Sequence, residues 1–335
     1  MKKAYYLFNP GRMSRKQNTL CFAATNEDGE TKKPRYLPIE GVSALYMFGA
    51  VDANSALYNY LGRKQVPVHF FDYYQHYTGS FSPREHLLAG QVLLAQTQAY
   101  RLGKRRMHIA KALVSAATFN MLKNLKYYRT RGKELDGQIA QIEALRPQIA
   151  LAQAIDELMG LEGNCRQIYY DTFSILMPGY DWEGRKKRPP TNELNALVSF
   201  GNSLCYTVCL DAIYHSQLNP TISYLHEPGF RRYSLALDVS EVFKPLLVDR
   251  LIFRLCNKGE LGKKDFDLVD DACFLAERGR KKFVVAWEER LKSSIHHRKL
   301  DRKVSYRRLI KLECYKIVKY IMRMEDNYEP FHAWW

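Results

Sequence analysis

Residues 77–102, YTGSFSPREHLLAGQVLLAQTQAYRL, contain the point at which the periodicity of the sequence changes. Residues 77–81 have the aromatic composition of a β-strand, whereas the apolar residues from 86 onward repeat at the spacing of a helix. Ser82 and Pro83 lie between the two patterns. The sequence therefore predicts a boundary here, with one domain over residues 1–83 and a second over residues 84–335.

The first domain is predicted to be a small β-sandwich. Turn residues such as Asn9-Pro10-Gly11 separate short runs rich in Tyr, Phe, Val and Ile, and such strands bury their apolar faces best by packing as two layers. One short helix is expected to begin after Asp52 as its N-cap and to end at Gly62. The predicted strands are residues 4–8, 19–24, 36–39, 42–48, 66–71 and 77–81.

The second domain is predicted to be all-α, which makes the fold class α+β. Long stretches after residue 84 repeat apolar residues at helical spacing, and strand signals almost disappear. Cys205 and Cys209 lie in one such stretch and are expected in the core. We find no run of about 18 apolar residues, so no membrane span is expected.

The charge balance indicates a polyanionic partner. The chain has 51 Lys and Arg against 35 Asp and Glu, a formal net charge of +16. Such a surface attracts DNA, RNA or acidic membranes, although it could simply keep a basic protein soluble. Seven cysteines without a CxxC pair predict neither a disulfide framework nor a thiolate zinc site. With no signal-peptide pattern at the N-terminus, a cytoplasmic protein is expected.

Four ionisable residues lie in apolar surroundings and are candidates for chemistry: Glu162 in LEGNCRQIYY, His226 in ISYLHEPGF, and Asp238 with Glu241 in LALDVSEVF. Two carboxylates and one imidazole suit Mg²⁺ or Mn²⁺ and leave positions open for water and phosphate oxygens. Each residue also has a structural interpretation. Glu162 could pair with Arg166 one turn later, and His226 could be a satisfied buried histidine. Asp238 could cap a helix, and Glu241 could be solvated.

Basic clusters form a second feature of the same domain. Lys and Arg bind phosphates without reading sequence, and neighbouring tyrosines can stack on unpaired bases. A solvated basic face is the alternative for any single cluster. The clusters are residues 104–106, 185–188, 278–282 and 298–323.

Several of these stretches resemble the spacer-acquisition integrases of CRISPR systems, the first of the numbered Cas proteins. The resemblance rests on YLPIEGVSALYMFG, LEGNCRQIYYDTF, RPPTNELNALVSFGNSLCY, NPTISYLHEPGFRRYSLALDVSEVFKPLLVDRLIF and KVSYRRLIKLECYKIVKYI. It implies a dimerising β-sandwich followed by a helical domain that binds metal and DNA. It implies that Glu162, His226 and Glu241 hold Mg²⁺ or Mn²⁺, with Asp238 as a second acidic contributor to catalysis and Asn195 close to the site.

The activity implied by the resemblance is phosphoryl transfer. A 3′-hydroxyl of a short DNA duplex would attack a phosphodiester of the repeat array. The implied partners are double-stranded DNA, a second copy of this chain, and a bridging dimer of the small ferredoxin-like second Cas protein. The sequence departs from the family pattern at Glu241, where many members have Asp, and at residues 191–194, which replace a Pro-Asp-Pro segment.

Three alternatives stay open at this stage. The chain could be a non-catalytic nucleic-acid-binding module in which the acidic cluster is structural. It could be a metal nuclease that acts on RNA, because contacts to the 2′-hydroxyl leave no sequence signature. Tyr170 could also be a covalent nucleophile, although no adjacent base is evident.

Overall fold

The computed structural model describes residues 2–26, 30–83, 89–186, 189–229 and 233–334. The chain divides into two compact units, Met1–His86 and Leu87–Trp335. The boundary predicted after residue 83 lies just before this division.

The first unit contains two four-stranded sheets, with strand orders β1-β5-β7-β8 and β4-β3-β2-β6. In the first sheet, β5 is parallel to both β1 and β7, while β7 and β8 are antiparallel. In chain order the elements are β1 (Lys3–Leu7), β2 (Gly11–Lys16), β3 (Thr19–Ala24), β4 (Arg35–Pro38), β5 (Val42–Met47), β6 (Val51–Asp52), α1 (Ser55–Arg63), β7 (Val68–Phe71) and β8 (Tyr77–Phe81).

The two sheets pack over one core, which confirms the predicted β-sandwich. Met13 and Leu20 of one sheet join Leu45 and Val68 of the other in a single buried cluster. Alternate residues of β5 point away from this core, and there the Tyr46 ring stacks on Tyr6 with centroids 4.6 Å apart. The first sheet therefore has a second, aromatic face.

Two details of the first unit were not predicted correctly. The N-cap of α1 is Asn54, whose side chain accepts a hydrogen bond from the Leu57 amide, whereas Asp52 lies in β6. Strands β2 and β6 were missed because β2 has a single buried residue, Met13, and β6 has only two residues. Neither gives an alternating apolar pattern that can be recognised from sequence.

The second unit is mostly helical, as predicted, and it also contains two short β-hairpins that were not predicted. Their strands have four residues each, too few for a clear period. The elements are α2 (Gly90–Arg101), α3 (Gly103–Arg129), α4 (Asp136–Leu151), α5 (Ile155–Asp171), α6 (Phe173–Leu176), α7 (Glu193–Tyr214), α8 (Ser234–Lys244), α9 (Arg250–Asn257), β9 (Phe266–Val269), β10 (Ala272–Leu275), α10 (Glu277–Lys292), β11 (Ser294–His297), β12 (Arg302–Ser305) and α11 (Tyr306–Ile321).

Helix α7 is the most apolar helix of this unit. Within the described part of the chain it alone has the length and composition to cross a membrane, but 78% of its most apolar 18-residue window is buried inside the protein. Its apolarity is explained by packing against α8, α11 and β10. Cys205 and Cys209 of α7 are fully buried as predicted, and all seven cysteines are free thiols.

Helix α8 continues into α9 through a wider π-helical turn, Pro245–Asp249. Proline has no amide hydrogen, so Pro245 cannot donate the regular hydrogen bond to the carbonyl of Glu241 four residues earlier. A π turn at such a point is a common feature of functional helices. All five residues of the turn are buried.

Candidate active site

Two helices bring two of the predicted side chains and two cations together. Glu162 and Arg166 lie one turn apart on α5, and Glu241 and Lys244 lie three residues apart on α8. The Arg166 Nε donates to Glu162 Oε1 at 2.6 Å, and its Nη2 also donates to Glu241. The Lys244 ammonium donates to Glu241 Oε1 at 2.5 Å. Arg166 therefore bridges the two carboxylates.

These carboxylates are largely withdrawn from water. The exposed fraction is 13% for the Glu162 side chain and 7% for Glu241. Burial alone would raise the pKa of Glu241, but the charges of Arg166 and Lys244 outweigh it and lower that pKa to about 2. Glu241 is therefore ionised at neutral pH, and the interpretation of Glu241 as a solvated side chain is wrong. The predicted Glu162–Arg166 pair is present.

The third predicted ligand, His226, lies on the loop before α8 and is held by Asp238. The Asp238 carboxylate is fully buried and lies 2.8 Å from His226 Nδ1. It also accepts the backbone amides of Tyr224, Leu225 and His226 at 2.6, 3.0 and 3.0 Å. A carboxylate beside Nδ1 holds the proton there and leaves Nε2 as the nitrogen able to bind a metal.

Asp238 does not have the structural role that the sequence suggested. It lies within α8 and does not cap it, since the N-cap residue is Tyr233. Its two oxygens already receive four N–H donors, counting the imidazole. Asp238 therefore holds the His226 loop against α8, and its contribution to catalysis stays a prediction.

The same loop has a second anchor that sequence reasoning missed. Gln96 of α2 is fully buried, donates to the carbonyls of Asn219 and Ile222, and accepts the Asn219 amide, all at 2.9 Å. Arg106 of α3 donates to the Tyr224 carbonyl at 3.0 Å. A glutamine within the apolar run VLLAQTQAY was the available signal, because an amide is buried only where its hydrogen bonds are satisfied.

The side chains present are suitable ligands for a hard divalent cation. In this structure, however, Glu162 and Glu241 are paired with Arg166 and Lys244. Two carboxylates and an imidazole nitrogen are suitable ligands for Mg²⁺ or Mn²⁺. His226 and Glu241 are linked through α8, because Asp238, which holds the imidazole, lies three residues before Glu241. Across the described ranges, no three His, Cys, Asp or Glu side chains form a ready metal-binding group. A cation would have to displace Arg166 from Glu162 and Glu241.

Asn195 has a clear structural role at the start of α7. Its side-chain oxygen accepts Arg185 Nη1 and the Lys186 amide, both at 2.9 Å, and its amide nitrogen donates to the Gly184 carbonyl. Ser199 receives Arg185 Nη2 at 3.0 Å. Asn195 thus folds the basic loop and fixes Arg185. Two residues of this predicted basic cluster, 187 and 188, lie outside the described part of the chain.

The other basic clusters divide into structural and open groups. Arg105 donates to the Tyr320 carbonyl at 2.6 Å, and Lys282 pairs with buried Asp265 at 2.7 Å, so both help to hold the fold. By contrast, the hairpin β11–β12 and the start of α11 border an open cleft of about 400 Å³. The cleft is lined by Arg302, Lys303, Val304, Ser305 and Arg308.

Tyr170 is unsuited to act as a nucleophile. It is 4% exposed, and burial raises the pKa of its hydroxyl above the ordinary value of 10.0. A phenol that is both enclosed and harder to ionise is a poor attacking group.

Comparison with known proteins shows similarity over most or all of the chain. The model of the family described as CRISPR associated protein Cas1 matches residues 5–289. The CRISPR-associated endonuclease Cas1 of Fusobacterium nucleatum is 44% identical over 336 residues, covering 100% of this chain and 98% of that protein. A CAS1 protein structure from Thermotoga maritima superposes with a TM-score of 0.86 at 38% identity, covering 97% of this chain and 98% of that one.

More distant structures share the fold alone. A casposase bound to integration product has a TM-score of 0.87 at 20% identity, covering 100% of this chain and 95% of the other. A chain of a Cas6-RT-Cas1–Cas2 complex has a TM-score of 0.82 at 18% identity, covering 99% of this chain and 36% of the other. On the family match and the full-length identity, this chain belongs to the CRISPR-associated Cas1 family.

Proposed function

We propose that this chain is a metal-dependent DNA endonuclease and integrase that inserts short DNA fragments into a CRISPR repeat array. The reaction is attack of a DNA 3′-hydroxyl on a phosphodiester of the array, with the displaced 3′-oxygen of the cut strand as leaving group. The observation that carries the proposal is that Arg166 joins Glu162 to Glu241, while Asp238, three residues before Glu241 on α8, holds His226. Family membership supports the activity.

Glu162, Glu241 and the Nε2 of His226 are the groups proposed to hold the metal. A bound Mg²⁺ or Mn²⁺ supplies Lewis acidity and orients the two oxygens of an in-line displacement. Asp238 fixes the tautomer and direction of the imidazole through its contact with Nδ1 at 2.8 Å. Gln96 and Arg106 hold the backbone that presents His226.

Lys244 and Arg166 supply the positive charge beside the proposed ligands. Lys244 lies on the same helix face as Glu241 and is mostly buried, with 12% of its side chain exposed. A cation in so enclosed a place interacts strongly with the phosphate that undergoes reaction, because little water screens the charge. We infer that Lys244 stabilises the negative charge of the phosphate during transfer.

Double-stranded DNA is the proposed substrate, and two protein partners are proposed with it. The net charge of +16 and the open basic cleft support contacts with the DNA backbone. The exposed Tyr73 and Tyr74 of the first unit support a homodimer, since aromatic residues are enriched in interfaces. A bridging dimer of the small ferredoxin-like Cas protein is proposed from family membership. The free cysteines are compatible with a cytoplasmic setting.

A metal-dependence assay tests this proposal. The purified chain, with its small Cas partner, receives a duplex with free 3′-hydroxyls and a supercoiled plasmid that carries a repeat array. We expect joined product in Mg²⁺ or Mn²⁺ and none in EDTA, because the carboxylates alone leave the reacting phosphate without a Lewis acid. A duplex with dideoxy 3′ ends is the matched control and should bind without being joined.

One observation favours a second candidate, a DNA-binding module with a structural acidic cluster. Both carboxylates are satisfied by Arg166 and Lys244, so the cluster is stable without a metal. Tight DNA binding with neither joining nor cutting in any metal would support this module and contradict the integrase.

A further inference from the structure

A second buried carboxyl group lies beside the candidate site and has no part in the chemistry described so far. Asp249 is the last residue of the π turn that follows α8, and it is fully buried. Neither of its oxygens accepts a hydrogen bond of ordinary geometry within the described part of the chain. Buried carboxylates are almost always satisfied, so such a group calls for an explanation.

The groups that face Asp249 come from α5, α8 and the loop before α7, where the charge of Arg185 also interacts with Asp249. The Tyr169 hydroxyl is the neighbouring donor, and it is itself fixed by the Asn124 amide at 2.9 Å. Burial is the main influence on Asp249 and raises its pKa to about 7, while Arg166 is the strongest of the nearby charges that lower it. Lys244 and Glu241 also act on it. The charge of Arg166 therefore acts on Asp249, although the two side chains do not form an ion pair.

In the arrangement seen here, the charges of the two carboxylates and the two basic side chains paired with them cancel. Glu162 and Glu241 carry two negative charges, and Arg166 with Lys244 carries two positive ones. A divalent cation between the carboxylates would repel Arg166 and add two positive charges to an enclosed space. Arg166 would then need another acceptor nearby, and both oxygens of Asp249 lack a hydrogen bond of ordinary geometry.

Building on the proposed function, we propose that Asp249 is a positioning residue that receives the Arg166 guanidinium when a divalent cation binds Glu162 and Glu241. Arg166 competes with the metal for the same carboxylates, and Asp249 lowers the cost of moving it away. Asp249 contacts neither metal nor DNA in this arrangement. Its effect is therefore expected in metal affinity measured without substrate, and it should depend on Arg166.

A double-mutant cycle of Mn²⁺ binding tests the proposal. Calorimetric titration of the metal-free protein at pH 7.5, without DNA, gives the Kd of wild type, Asp249→Asn, Arg166→Gln and the double variant. We expect Asp249→Asn to weaken Mn²⁺ binding about tenfold, and Arg166→Gln to bind at least as tightly as wild type. In the Arg166→Gln background, Asp249→Asn should change the Kd by less than about twofold, because its partner is gone.

The controls separate this proposal from the function on which it rests. Asp156→Asn removes an exposed carboxylate of α5 and should leave the Mn²⁺ Kd unchanged. Asp249→Asn is isosteric and removes a poorly solvated charge, so it should unfold no more easily than wild type. Mn²⁺ binding unaffected by Asp249→Asn, or weakened equally in both backgrounds, would overturn the proposal alone. A wild type that binds no Mn²⁺ would overturn the metal site and the proposal together.

A Mn²⁺-soaked crystal of the wild-type protein gives a readout that needs no variant. An Arg166 nitrogen within about 3 Å of an Asp249 oxygen supports the proposal. Metal bound to Glu162 and Glu241 with Arg166 still on Glu162 would overturn it.

Discussion

His226→Ala is expected to reduce metal-dependent DNA joining by about a thousandfold or more, while DNA binding and folding are retained. The imidazole is the only nitrogen ligand proposed, and its loss weakens a metal that contributes several kcal/mol to stabilising the reaction. The His226 side chain is mostly enclosed, with 18% exposed. A water molecule is therefore a poor substitute for the imidazole as a metal ligand. The measurement is the rate of joining in Mg²⁺ under single-turnover conditions.

His215→Ala is the matched control for this variant. His215 also has an aspartate beside its Nδ1, since Asp211 contributes a carbonyl at 2.8 Å and a carboxylate oxygen at 3.4 Å. It lies at the end of α7, outside the convergence of α5, α8 and the His226 loop. Its replacement should leave joining within about twofold of wild type. Equal losses in both variants would show that joining does not require the proposed site.

Asp238→Ala is expected to lower the free energy of unfolding by about 3–5 kcal/mol and to eliminate joining. Removing this carboxylate leaves three buried backbone amides and the His226 imidazole without their acceptor. The loop from Tyr224 to His226 then loses its connection to α8. Urea unfolding at pH 7 measures the stability, and the joining assay measures the effect on the site.

Two further variants make the Asp238 prediction specific. Asp171→Ala removes a solvent-exposed carboxylate at the end of α5 and should change stability by less than about 0.5 kcal/mol. Asp238→Asn keeps the shape of the side chain, but its amide NH₂ group faces N–H donors of the His226 loop that the carboxylate oxygen had accepted. This variant should therefore also weaken Mn²⁺ binding. An Asp238→Ala protein as stable as wild type would contradict the anchoring role.

The elements that could be predicted are those with a long local pattern. The helical spacing after residue 86 and the aromatic runs before residue 82 identified a β-sandwich followed by a helical unit. The Glu162–Arg166 pair was predictable because it depends only on a four-residue spacing within α5. Short elements lack this information, which explains the missed strands β2 and β6 and the hairpins of the second unit.

Contacts between distant segments explain the rest of the differences. Arg166 reaches Glu241 across 75 residues, and Gln96 holds Asn219 across 123 residues. No sequence pattern within any one of these segments indicates its partner. The hydrogen bonds of Asp238 could not be predicted for the same reason, because its donors belong to a loop 12 to 14 residues earlier that folds back onto α8. Resemblance to a family suggested the site residues, but the contacts that support them depend on tertiary structure.

The central claim is that Glu162, His226 and Glu241 hold the catalytic metal, and anomalous diffraction from a crystal soaked in Mn²⁺ tests it most directly. The expected result is one anomalous peak about 2 Å from oxygens of Glu162 and Glu241 and from Nε2 of His226, with Arg166 moved off Glu162. A crystal of joining-competent protein with no peak there, and with Arg166 still bridging both carboxylates, would contradict the account.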